Sequence, residues 1–255
     1  MGRIIAIANQ KGGVGKTTTN VNLSTCLAQA GEKVLVVDMD PQGNTTSGFG
    51  LNKNELPFTI YNLLLGQGTI EQAMYQTCVE NLTLMPANIH LSGAEIELIA
   101  ETDREYQLKN HLINAKYLYD FTLIDCPPSL NLLTLNALCA ADSVLVPIQC
   151  EYYAMEGLSQ LMYTIELVQR KLNPRLRIEG VLFTMFDSRT NLSVQVVDEV
   201  KKHLGNFIYK TMIPRNVRLS EAPSHGLPIT LYDEKSKGAE SYTLLAREVI
   251  EAKGW

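Results

Sequence analysis

Two lysines in one short glycine-rich run, Lys11 and Lys16, are the side chains of this 255-residue chain whose chemistry is plainest from type and spacing. The run Lys11-Gly12-Gly13-Val14-Gly15-Lys16-Thr17-Thr18 follows the apolar stretch Ile4-Ile5-Ala6-Ile7-Ala8 and opens a helical pattern. A strand, a glycine loop and a helix together let successive backbone N–H groups curl round an anion that faces the positive end of the helix. In such a loop Lys16 reaches β- and γ-phosphates, and the Thr17 hydroxyl ligates Mg2+. The ordinary G-x-x-x-x-G-K-[ST] spacing calls for glycine at position 10, where this chain has Gln10. Lys11 is thus a second cation in a loop where one suffices. It reads either as a solvated surface lysine or as a charge aimed outward, at phosphates held by a second copy of the chain.

Three carboxylates belong with this loop. Asp125 closes the apolar run Leu123-Ile124, where a bare buried charge is costly unless a cation meets it. Mg2+ is the natural partner in a nucleotide site. Asp38 and Asp40 close a second apolar run and stand two residues apart, so in extended chain both point to the same side. Asp38 reads equally well as a cap or turn carboxylate. Phosphoryl transfer needs alignment, charge neutralisation and an oriented water, and little covalent help. The four histidines have no Ser, Cys or Asp constellation that would make a triad.

These residues must be positioned by alternating strands and helices. Apolar runs predict strands over residues 3–8, 33–38, 82–86, 121–125, 143–148, 178–185 and a short 208–211. Between them lie helical periods. Leu23, Cys26, Leu27 and Ala30 share one face before Gly31 stops the helix, residues 155–172 form a long helix, and Tyr242, Leu245, Ala246, Val249 and Ile250 make a stripe near the C-terminus. This order predicts a single α/β domain over residues 1–255, with a mainly parallel, doubly wound sheet and helices on both faces. Ligands then gather at the carboxyl ends of the strands, where Lys11–Lys16, Asp38, Asp40 and Asp125 all fall.

Lys11-Gly12-Gly13-Val14-Gly15-Lys16-Thr17-Thr18 resembles the deviant Walker A motif of the ParA/MinD ATPases. Val36-Val37-Asp38-Met39-Asp40-Pro41-Gln42-Gly43-Asn44 is similar to the family's second acidic motif, and Phe121-Thr122-Leu123-Ile124-Asp125-Cys126-Pro127-Pro128-Ser129 to its Walker B segment. The blocks Gln149-Cys150-Glu151-Tyr152-Tyr153-Ala154 and Ile213-Pro214-Arg215-Asn216-Val217-Arg218-Leu219-Ser220-Glu221-Ala222-Pro223 resemble the ParA/Soj chromosome-partition branch. The resemblance spans essentially the whole chain, in order.

It implies a P-loop fold of the deviant Walker A type and a Mg2+-dependent ATPase. ATP is expected on Lys11, Gly12, Gly13, Val14, Gly15, Lys16, Thr17 and Thr18, with Pro214 and Asn216 near the adenine. Mg2+ is expected on Thr17, Asp38 and Asp125. Asp40 is expected to position the attacking water, with Lys11 and Lys16 as its catalytic partners. Lys11 would reach across an ATP-dependent homodimer, and Gly12 would lie where two loops approach so closely that any side chain clashes. Arg189 and Arg218, on loops after strands, would hold double-stranded DNA without base specificity. A ParB/Spo0J-like protein would stimulate hydrolysis, and replication control is an open second role. The implied location is cytoplasmic and nucleoid-associated. Because the strand pattern starts at residue 3, no N-terminal DNA-reading extension is expected.

Composition sets limits on this reading. The chain is 45% hydrophobic and 19% charged, as expected of a soluble globular protein. No apolar run approaches the roughly 20 residues that span a bilayer. The five cysteines form no C-x-x-C pair and read as buried thiols rather than a metal site. Net charge is −5, but residues 170–255 carry 14 Lys/Arg against 10 Asp/Glu while residues 1–169 carry 8 against 17. The basic excess of the C-terminal third is compatible with a local DNA-binding face. The alternative is a MinD-like, membrane-associated regulator of division-site placement. That reading requires a basic amphipathic helix near the C-terminus, whereas the stripe from Tyr242 to Ile250 reads as core-facing. A nitrogenase-type iron–sulfur ATPase would need cysteines that bridge a dimer, and Cys126 is the one candidate.

Overall fold

The computed structural model of the chain describes residues 2–151 and 154–252, with Asn206 described by its backbone alone. Tyr152 and Tyr153, from the block after Gln149, lie outside the described residues. Seven strands form one sheet: β1 (Arg3–Ile7), β2 (Val34–Asp38), β3 (Tyr75–Gln76), β4 (Leu82–Met85), β5 (Phe121–Asp125), β6 (Ser143–Gln149) and β7 (Arg177–Thr184), in the spatial order β3-β4-β2-β5-β1-β6-β7. Every pairing is parallel except β3 with β4. This is the doubly wound α/β sheet expected from the sequence, with one short antiparallel edge strand that the sequence pattern did not reveal.

The strands are apolar throughout because both faces are covered. Alternate residues serve opposite cores: Ile4, Ala6 and Ala8 of the first strand segment face one, Ile5 and Ile7 the other, and Leu35 and Val37 divide from Val34 and Val36 in the same way. The first core is closed by the helices Leu132–Ala140, Ala154–Lys171 and Asn191–Leu204. The second is closed by α1 (Lys16–Gln29) and the helix Lys237–Glu251.

Helix α1 is buried between the sheet and the C-terminal helix, which explains the weak amphipathicity of its sequence. Thr19, Asn20, Ser24 and Thr25 are fully buried. Ser24 and Thr25 donate to the Val21 carbonyl, while Thr19 meets Tyr242 Oη at 3.1 Å. Gly31, at φ +95°, ends the segment as expected. In the helix Lys237–Glu251, Tyr242, Leu245, Ala246 and Val249 are all buried in the same core as Leu23 and Leu27. Its apolar stripe faces protein, as read from the sequence. No helix of the described residues is long and apolar enough to cross a membrane.

The expected strand at 208–211 is reduced to one bridge, Val181 with Ile208. The reason is local competition for amides. Lys210 N and Thr211 N both donate to the Glu248 carboxylate, at 2.9 and 2.8 Å, so they are lost to the ladder. The chain rejoins β7 at Ile213, whose N–H donates to the Phe183 carbonyl.

Candidate active site

Register brings the chemistry to one edge. Asp125 is paired with Ile7 across β1·β5 and with Asp38 across β2·β5, so three strands end level. The loops leaving them carry the candidate residues.

The loop after β1 is held by its neighbours. Asn9 is buried, donates to the Pro147 carbonyl at 2.7 Å and accepts from Lys11 N at 3.0 Å. Thr184, at the end of β7, donates to the Val14 carbonyl at 2.8 Å. Gly13 and Gly15 sit at φ +74° and +87°, where a side chain is strained, so the curl of the loop requires them. Helix α1 then begins at Lys16 with no acidic residue in its first turn, leaving its positive end uncompensated. Lys16 is buried and donates to the Lys11 carbonyl at 3.1 Å. Burial holds its pKa below the ordinary lysine value, against the opposing pull of Asp125 and Asp40. Lys11 points elsewhere: its Nζ meets Glu151 Oε2 at 2.7 Å, just past β6. The two lysines thus divide, one aimed into the site and one outward. Gly12 is exposed, and a Cβ built on it meets nothing within 4 Å, so no clash arises within the chain.

Asp125 is fully buried, and burial raises its carboxyl to about 6. Thr17 Oγ1 and Thr45 Oγ1 both donate to its Oδ2 at 2.8 Å, while Oδ1 has no hydrogen-bond partner among the described residues. Thr45 lies in α2 (Asn44–Gly48), the short helix after the Asp40 loop. Asp38 is also fully buried, and burial pushes its carboxyl up to about 8. Both of its oxygens are engaged: Oδ1 accepts from Asp40 N at 3.2 Å, and Oδ2 accepts from Thr46 N and Thr46 Oγ1 at 2.9 and 2.8 Å.

Asp38 and Asp40 do not share one side, contrary to the extended-chain reading. The strand ends at Asp38 and the chain turns, closing with Gly43 N on the Asp40 carbonyl at 2.9 Å. Asp40 Oδ1 accepts from Gln42 N at 2.9 Å. Asp38 therefore behaves as the turn carboxylate that the sequence left open as an alternative, bracing the first turn of α2.

The remaining candidates lie on neighbouring segments. Pro214 is bridged to Phe186, and Asn216 caps the helix Val217–Glu221 by accepting from Arg218 N at 2.8 Å. That segment runs beside Phe183 and Phe186 and so adjoins Thr184 and the phosphate loop. Arg189 and Arg218 are exposed. Arg189 pairs with Asp187 at 2.7 Å, and Arg218 pairs with Glu221 at 2.8 Å and Asp233 at 3.3 Å. Four of the five cysteines are buried as expected, whereas Cys78 is exposed. Burial raises the Cys126 thiol beyond reach of ordinary ionisation, which suits packing rather than ligation. Sequence reasoning missed Asn9, Thr45, Thr46, Glu151 and Thr184, whose partners lie far along the chain.

Comparison with known proteins gives a consistent picture. A family model described as an AAA domain matches residues 2–178. Over 249 residues the chain is 60% identical to the sporulation initiation inhibitor protein Soj of Bacillus subtilis (strain 168), covering 98% of each chain. Over 254 residues it is 53% identical to the chromosome-partitioning ATPase Soj of Treponema pallidum (strain Nichols), covering 100% of this chain and 99% of that one. Among solved structures, it matches a cobyrinic acid a,c-diamide synthase from Mycobacterium smegmatis with bound ADP and magnesium. That match has a TM-score of 0.88 at 40% identity and covers 100% of this chain and 97% of the other.

Proposed function

The chain belongs to the Soj/ParA family of chromosome-partitioning ATPases, and from that premise we propose that it is a nucleotide-switched partition protein, dimeric and DNA-bound with ATP. The observation that carries this reading is the division of the loop lysines, with Lys16 buried toward Asp125 and Lys11 held outward beside the open Gly12.

The hydrolytic site follows from the same geometry. Backbone N–H groups of residues 12–18, with Thr18 at the first turn, would cradle the phosphates of ATP, and Lys16 would neutralise the β- and γ-groups. Thr17 and Asp125 fit a divalent cation. The Thr17 proton is committed to Asp125 Oδ2, leaving the hydroxyl lone pairs available, and Asp125 Oδ1 is a buried acceptor without a partner among the described residues. Mg2+ bound there would supply charge neutralisation for the terminal phosphates. Asp38 would act beside it by shaping the loop, since both its oxygens are engaged. Asp40 would orient the attacking water. Lys11 would exchange Glu151 for the phosphates of the facing protomer, and Pro214 and Asn216 would border the base.

Arg189 and Arg218 stand on segments joined by the bridge between Phe186 and Pro214, which supports a shared surface. Their carboxylate partners are solvent-facing, and such exposed pairs are worth only about 0–1 kcal/mol, so DNA phosphates can replace them. A dimer doubles these contacts and raises affinity through effective concentration. A ParB-like protein would be the stimulating partner, and the nucleoid the place of action.

The experiment is DNA binding by the purified protein without nucleotide and with ADP, ATP or a non-hydrolysable ATP analogue. Binding should need ATP or its analogue and be indifferent to sequence. Deleting one arginine that holds a phosphate should flatten the log K against log salt slope by about 0.9. The double variant Arg189→Glu/Arg218→Glu should therefore bind every sequence more weakly, with a shallower salt dependence. Undiminished binding by that variant, or preference for one sequence, would remove these arginines from a non-specific DNA surface.

A further inference from the structure

Thr45 has no role in the chemistry above, yet it is fully buried and doubly engaged. Its hydroxyl donates to Asp125 Oδ2 at 2.8 Å and accepts from Asn20 Nδ2 at 3.3 Å. A hydroxyl has a single proton, so the Asn20 amide, occupying a lone pair of Thr45, leaves that proton for the carboxylate. Thr17 directs its own proton to the same oxygen, also at 2.8 Å. One such bond would let the carboxylate rotate and exchange its oxygens. Two bonds on Oδ2, from α1 and from α2, fix the rotation and leave Oδ1 presented without a partner among the described residues. Thr45 also follows the Asp40 loop directly, so its bond ties that loop to the carboxylate.

We propose that Thr45, oriented by Asn20, is a positioning residue for the cation-binding carboxylate: it fixes Asp125 with Oδ1 toward the divalent ion and couples the Asp40 loop to that ion. The inference rests on the reading of Asp125 as a Mg2+ residue. Its physical basis is the behaviour of metal sites generally, where groups that hydrogen-bond a ligand determine its orientation and basicity.

The test is a Mg2+ titration of the full-length protein with a fluorescent ADP analogue, reading the Mg2+ concentration at which nucleotide affinity has half risen. Thr45→Val should raise that concentration about tenfold, leave Mg2+-free ADP affinity unchanged, and keep a cooperative melt in EDTA. Thr45→Ser, which retains the hydroxyl, should titrate as the wild type. Asn20→Ala should shift the curve in the same direction by less, and it carries the test should Thr45→Val fail to fold. Asp125→Asn separates the two readings. If Asp125→Asn itself titrates as the wild type, the cation site is wrongly assigned. If Asp125→Asn shifts but Thr45→Val does not, or if Thr45→Ser shifts as far as Thr45→Val, the positioning role is overturned alone.

Discussion

Asp40→Ala is expected to slow ATP hydrolysis by about 10²-fold or more while ATP still binds. The expectation rests on what Asp40 does and does not hold together. It lies within electrostatic reach of Lys16, as its upward pull on that lysine shows, and Lys16 marks where the terminal phosphate would sit. Its carboxylate has one backbone partner, Gln42 N, and the turn itself is closed by backbone atoms from Gly43 N to the Asp40 carbonyl. Alanine thus leaves the turn and the phosphate loop in place and deletes the group proposed to orient water. Lys16→Ala provides the contrast, because it should weaken nucleotide affinity itself. Single-turnover hydrolysis measured beside equilibrium binding separates the two. Wild-type turnover by Asp40→Ala would take this residue out of the reaction.

Gly12→Val is expected to abolish ATP-dependent dimerisation while preserving the folded monomer and its nucleotide binding. Gly12 is exposed, is absent from the positive-φ glycines, and would carry a Cβ with nothing within 4 Å of it. Valine there should change monomer stability by no more than about 0.5 kcal/mol. Any large effect must therefore come from a second molecule meeting this face, next to the outward-held Lys11. Light scattering coupled to size exclusion, with the non-hydrolysable analogue, reads the result. A persistent dimer of the valine variant would refute a close approach of the two loops.

The parts of the site legible in the sequence are those made by neighbours in the chain. Lys11 to Thr18 are consecutive, their backbone forms the anion cradle, and glycine at 13 and 15 is required by the local dihedrals alone. The strands are legible because burial on both faces makes them continuously apolar. Where the structure departs from the local pattern, a distant group or a turn of the chain intervenes. The amides of Lys210 and Thr211 are drawn from the expected strand by Glu248, 38 and 37 residues away. Asp38 and Asp40 diverge because the chain leaves the sheet between them.

The sequence by itself determined the fold class, the phosphate loop and the identity of the carboxylates, because periodicity and short motifs are properties of contiguous residues. Only the tertiary structure decided what each carboxylate can do. Thr45 reaches Asp125 across 80 residues, Lys11 reaches Glu151 across 140, and Thr184 reaches Val14 across 170. Those pairings follow from the parallel register that ends β1, β2 and β5 at one level, which no local pattern encodes. The burial that raises the carboxyls of Asp38 and Asp125 is likewise a property of the closed sheet edge. The hydrogen bonds formed there separate an engaged turn carboxylate from one with an oxygen left for a cation.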